Sequence, residues 1–169
     1  MTIRHIVATD SKWGIAKNGE TPWHLPGELA HMRKTMERFG GIVLVGSKTW
    51  EIMEQNARAR NPYELSFGDR HVHVLSSQNL PLPAGVTLVH NVEEFVAERR
   101  ERNQDFWVAS GTLYEQIPPD IVYRTLIDAN FDCDRFYDMP DKFVCAGFNL
   151  PIRENDLTYC YEIWSRRQN

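Results

Sequence analysis

Cysteine is scarce and unpatterned: Cys133, Cys145 and Cys160 are the only three among 169 residues, and no two stand in CxxC spacing. An odd number of scattered thiols excludes a disulfide-stapled scaffold and reads as small core residues in a reducing compartment. Long apolar runs are also missing, so no segment has the length needed to cross a bilayer. The opening MTIRHIVATD carries no basic-then-apolar leader, and a soluble, cytoplasmic protein without a membrane partner is expected. Positive charge is not in excess: 19 Lys and Arg against 23 Asp and Glu give a net charge of -4. That balance excludes the broad basic field that gathers nucleic acid. Neither GxxxxGK[ST] nor GxGxxG occurs, which removes the P-loop and the usual dinucleotide fingerprint. There is no internal repeat, low-complexity tract or linker. With 42% hydrophobic residues, the chain is expected to form one domain over 1–169 around one core, as a monomer.

Against these absences stands one unusual stretch, Thr21 to Met36, TPWHLPGELAHMRKTM. Pro26 suits the first turn of a helix, where its missing N–H would be unpaired anyway. At about 100° per residue, Leu25, Leu29, Met32, Met36 and Phe39 form one apolar stripe. Glu28 lies at its edge. Two readings are open: an exposed first-turn acid that favours the helix dipole, or a buried acid in a ligand cleft, with its pKa raised by desolvation.

In chain order, Thr2–Thr9 reads as a buried strand, and the Gly- and Pro-containing segment from Asp10 to Leu25 as a long loop. Trp13 and Trp23 within it either seal the core edge or line a ligand site. Ile42–Val45 is a short apolar strand that meets Gly46-Ser47-Lys48-Thr49 and a helix over TWEIMEQN, a junction able to present free N–H groups to a phosphate. Asn56–Asp69 reads as a surface loop. His71–Leu75 alternates as a strand and ends at Ser76-Ser77-Gln78, either an ordinary turn or a ligand-binding strand end. Val86–Val89 is a further short strand. Asn91, with Glu94 three residues on, opens a helix over Val92–Arg102.

Asp105–Ala109 is another buried strand, and Ser110-Gly111-Thr112 followed by LYEQ makes a second strand, glycine, helix junction, stopped by Pro118-Pro119. Ile121–Ile127 is a strand containing Thr125. Lys142–Phe148 and Leu157–Trp164 complete an antiparallel pair joined by a loop around Pro151. The expected class is therefore α/β: a mostly parallel central sheet, an antiparallel C-terminal edge and about four flanking helices.

Taken together and in order, these residues resemble the dihydrofolate reductase family from one end of the chain to the other. Gly14-Ile15-Ala16-Lys17-Asn18-Gly19 with Pro22-Trp23-His24-Leu25-Pro26 is similar to its active-site loop and following helix, and Gly46-Ser47-Lys48-Thr49-Trp50-Glu51 to its GRKTWES turn. Arg70 with VHVLSSQ, Ser110-Gly111 with Leu113-Tyr114-Glu115, and Tyr159-Cys160-Tyr161-Glu162 match later family segments. The resemblance implies hydride transfer from NADPH to dihydrofolate with protonation at N5, in one-carbon metabolism, on an antifolate target. It implies Glu28 as the pterin-binding acid, completed by Trp23 and Thr125, with Tyr114 beside the nicotinamide. Ala8, Leu29, Met32, Met53 and Phe67 would line the substrate groove, and Arg70 would grip a tail carboxylate. Ala8, Ile15, Asn18, Gly46, Ser47, Lys48 and Thr49 would meet the cofactor from one side. Ser76, Ser77, Gln78, Ser110, Gly111, Thr112, Leu113 and Tyr114 would meet it from the other.

Some positions depart from the family pattern. Ser47 stands where an Arg is usual, Ala16 replaces a loop glycine, and the turn at Ser110 is one residue short, so that a cis peptide there would be the Ser110–Gly111 bond. Asn56–Asp69 is unlike the usual approach to Arg70. Two other functions remain open on the sequence: the related pyrimidine reductase of riboflavin synthesis, and a folate- or nucleotide-binding protein without turnover.

Overall fold

The computed structural model describes residues 1–167. Four largely buried strands build the centre of the sheet: β1 (Ile3–Thr9), β3 (Ile42–Gly46), β6 (Phe106–Val108) and β7 (Ile121–Ile127), of which β3 and β6 are apolar at nearly every position. Side chains alternate across a strand, so a strand apolar at every position must be covered on both faces. In β3, Val43 and Val45 join one core cluster with Trp107, Met36 and Trp50, whereas Leu44 joins another with Phe95, Phe106 and Val108. Each such valine is essentially inaccessible, and its burial contributes about 1.5–3 kcal/mol.

With β4 (His71–Leu75) and β5 (Thr87–Val89), these strands pair in parallel, in the order β7-β1-β6-β3-β4-β5. On the other side of β7, the last strand, β11 (Leu157–Arg166), runs antiparallel, and both β9 (Phe143–Phe148) and β10 (Ile152–Glu154) pair with it. The expected mostly parallel sheet with an antiparallel C-terminal edge is thus observed. The loop around Pro151 contains the extra strand β10. Two further short strands, β2 (Gly14–Ala16) and β8 (Arg135–Phe136), form a separate ribbon that pins part of the long loop after β1.

Among the described residues, three helices cover the sheet and form its flanking layers. α1 (Pro26–Arg38) begins at the expected proline, and α3 (Val92–Glu101) is capped by Asn91, whose Oδ1 accepts the Glu94 N–H at 3.0 Å. α2 (Ser47–Arg60) continues past Asn56 into the stretch expected to be loop. Only Ala57 of that extension is buried, so it carries little apolar pattern; an Arg58–Glu54 ion pair at i,i+4 spacing holds it. A fourth helix was expected over Leu113–Gln116, but residues 111–116 form successive turns. Pro118-Pro119 leaves too little chain to propagate a helix, and the N–H groups of Leu113 and Gln116 instead bond three residues back. Among the described residues no peptide bond is cis, so Ser110–Gly111 is trans.

Candidate active site

The carboxyl ends of β1, β3 and β6, the start of α1 and the start of α2 surround a cleft of about 430 Å³. Its floor holds Glu28. Leu25 and Met36 anchor α1 in the core, and this rotates Glu28 inward to 1% exposure. The dipole-capping alternative does not hold, because another acid takes that role: Glu154 of β10 accepts the Gly27 N–H with both oxygens, at 3.0 and 3.2 Å. Thr125 of β7 donates its hydroxyl proton to Glu28 Oε1 at 2.8 Å. Burial pushes the Glu28 carboxyl up to about 7; the Thr125 hydrogen bond opposes this, and the charge of Glu154 adds to it. Desolvation outweighs one hydrogen bond, so neutral and ionised forms coexist near pH 7.

Most of the residues singled out in the sequence meet here. Trp23, Leu29, Met32, Met53, Phe67 and Arg70 line one part of the cleft; Ala8, Ile15 and Tyr114 line its middle. Gly46, Ser47, Lys48, Thr49, Ser110, Gly111 and Thr112 line the other end. Trp23 packs on Phe131 with ring centroids 5.3 Å apart. Trp13, by contrast, seals the core: it stacks under the Arg124 guanidinium at 3.4 Å and packs with Tyr137. Tyr114 donates its hydroxyl proton to the Ile6 carbonyl at 2.6 Å, and burial raises its phenol well above the ordinary value.

Six residues lie elsewhere. Thr125 reaches the cleft only through Glu28. Leu113 is buried in the α3-side core, its N–H bonded to the Ser110 carbonyl. Asn18 is exposed, its N–H donating to Asp134 Oδ2 at 2.8 Å, while its neighbours Gly19 and Glu20 line the cleft. Ser77 and Gln78 are exposed beyond the β4 end. Ser76 beside them accepts a hydrogen bond from His90 Nδ1 through its carbonyl at 2.7 Å.

The two ends of the cleft are cationic in different ways. At one, Arg70 is nearly buried; its Nε donates to the Phe67 carbonyl at 2.8 Å, and burial lowers its pKa to about 10, with Glu37 opposing the shift. Arg33 and Arg60 stand beside it, and all three also line an adjoining cavity of about 250 Å³. Arg60 was hidden from sequence reading because the α2 extension read as loop. At the other end, Gly46 leaves α2 with no side-chain cap and no first-turn acid. A Cβ on Gly46 would meet the Ser110 and Thr112 hydroxyls at 3.1 and 3.2 Å. That close approach, the open helix start and Lys48 suit a phosphate group. Arg135 of β8 also lines this end and was not anticipated; it follows a polar stretch with no periodicity to place it.

Known proteins are similar to this chain in sequence and fold. The dihydrofolate reductase family model matches residues 2–165. A dihydrofolate reductase of Enterococcus faecium is 31% identical over 168 residues, covering 94% of this chain and 93% of that protein. One from Haemophilus influenzae is 30% identical over 139 residues, covering 81% and 79%. Among solved structures, a dihydrofolate reductase from Enterococcus faecalis complexed with NADP(H) and RAB-propyl superposes with a TM-score of 0.74. It is 25% identical, with 99% of this chain and 97% of that one covered. With sequence and fold matched over nearly its whole length, the chain belongs to the dihydrofolate reductase family.

Proposed function

We propose that this chain reduces 7,8-dihydrofolate to tetrahydrofolate with NADPH, as a single-domain monomer acting in the cytoplasm on a free small molecule and without a nucleic-acid partner. The observation that carries the reading is the Glu28–Thr125 pair at the floor of an apolar cleft with unlike cationic ends. When bound, NADPH supplies the hydride accepted at C6 of the pterin. The ionised Glu28 carboxylate accepts hydrogen bonds from the pterin 2-amino group and N3, and its protonated form keeps a proton available for N5. Thr125 fixes the orientation of the carboxyl, and Trp23 closes the cleft beside it. Leu29, Met32, Met53 and Phe67 exclude water from the substrate groove. Arg70 has spent its Nε on Phe67, and its terminal nitrogens remain for a tail carboxylate in parallel hydrogen bonds. Lys48, Thr49, Ser110 and Thr112 hold the cofactor phosphates. A pyrimidine reductase has no need of a buried acid preceded by Pro-Trp, so Glu28 argues against that alternative.

The test is NADPH consumption with dihydrofolate for the wild type and for Glu28→Gln. We expect turnover by the wild type and a loss of about 100-fold or more in the variant, the scale of a removed acid–base group. A wild type without turnover would overturn the reading, and an undiminished variant would remove the role of the carboxylate.

A further inference from the structure

We propose that Arg135, on the β2–β8 ribbon, is a ligand of the cofactor phosphates and completes the cradle formed by Ser47–Thr49 and Ser110–Thr112. This rests on reading the cleft as an NADPH site. The Arg135 side chain lies along the second phosphate turn: Nη2 donates to the Gly111 carbonyl at 3.0 Å, and Nε would stand 3.2 Å from a Cβ placed on Gly111. One carbonyl engages one of five N–H donors, and the others remain available on a guanidinium that lines the cleft.

Charge supports the same assignment. The two turns offer hydroxyls, N–H groups and one cation, Lys48, whereas a dinucleotide diphosphate brings two negative charges. Among the described residues, neither Lys48 nor Arg135 has a carboxylate within ion-pair distance. A half-buried guanidinium without a counter-ion is costly until an anion reaches it. Arg135 is presented by a ribbon, not by either turn. The preceding residue, Asp134, donates its N–H to the Ala16 carbonyl at 3.0 Å and accepts the Asn18 N–H at 2.8 Å. The same short segment therefore grips the loop after β1 and offers its next side chain to the phosphates, so cofactor binding and loop position are joined through Arg135.

The experiment titrates NADPH into wild type, Arg135→Gln and Arg135→Lys, read by quenching of tryptophan fluorescence at several salt concentrations. Arg135→Gln should bind NADPH about 10- to 100-fold more weakly, the loss expected for charge-assisted hydrogen bonds, with a shallower dependence on salt. Arg135→Lys should recover part of the affinity. Inorganic diphosphate should compete with NADPH in the wild type and more weakly in Arg135→Gln. Equal NADPH affinity in Arg135→Gln, with a wild type that reduces dihydrofolate, overturns this inference and leaves the proposed function standing. A weakening independent of salt that lysine does not rescue marks a structural prop and overturns it as well. A wild type that binds no NADPH overturns both.

Discussion

Glu28 shows how much a single side chain can leave undecided in a sequence. It sits at the boundary of the α1 stripe, where a rotation of a few tens of degrees separates solvent from core, and the spacing alone allows both. The deciding facts are remote in sequence: Thr125 lies 97 residues away, and Glu154, which takes the dipole-facing position, lies 127 residues from Gly27. The ordered family motifs made the inward reading legible where periodicity could not. A prediction follows for Thr125→Val. Its hydroxyl holds the Glu28 pKa down against desolvation, so its removal raises that pKa further. Turnover that falls as pH rises through the Glu28 pKa should then fall at higher pH in the variant. The rate at pH 7 should drop about tenfold, for one buried hydrogen bond to a charged group. A pH–rate profile that coincides with the wild type would detach Thr125 from the network.

Among the elements, the central strands were legible: β1, β3, β6 and β7 all appear within a residue or two of where their composition puts them. What was hidden depends on partners instead of pattern. The β2–β8 ribbon pairs segments about 120 residues apart, β10 is a strand only because β11 lies beside it, and the end of α2 is polar on nearly every side. The entry to β3 carries a sharper local requirement. Gly41 has φ +69°, and a Cβ there would meet the Asp69 carbonyl next to Arg70. Gly41→Ala should therefore cost about 2 kcal/mol, from left-handed backbone plus a displaced carbonyl. It should also weaken dihydrofolate binding while sparing NADPH. Urea unfolding and the two ligand titrations check this; wild-type stability in the variant would contradict it.

For the whole molecule, two buried groups set opposing pH dependences. His5 donates from Nε2 to the Ile117 carbonyl at 2.7 Å, and with the ring neutral its Nδ1 accepts from the Tyr137 hydroxyl at 2.8 Å. Burial lowers its pKa from 6.5 to about 4. Its contribution is present above pH 6.5 and lost as pH falls through 4. The Glu28 pKa is raised from 4.5 to about 7, so its contribution is present below pH 4.5 and lost as pH rises through 7. Glu28→Gln isolates the second term. Its stability relative to the wild type should be level below pH 4.5 and rise by about 3 kcal/mol above pH 7, while His5 titrates equally in both. Urea midpoints across pH measure the difference, and a constant difference would contradict the assignment.

The chain's connectivity also has a consequence for its manufacture. A ribosome that has extruded only the first 120 residues has made the acid of the site, but neither the hydroxyl at position 125 that bonds it nor the carboxylate at 154 that holds its helix. β1 meanwhile has its outer neighbour β7 still to come. The pocket is thus completed only when the later strands join α1, and a chain that stops before them carries its most costly buried group with no partner for it.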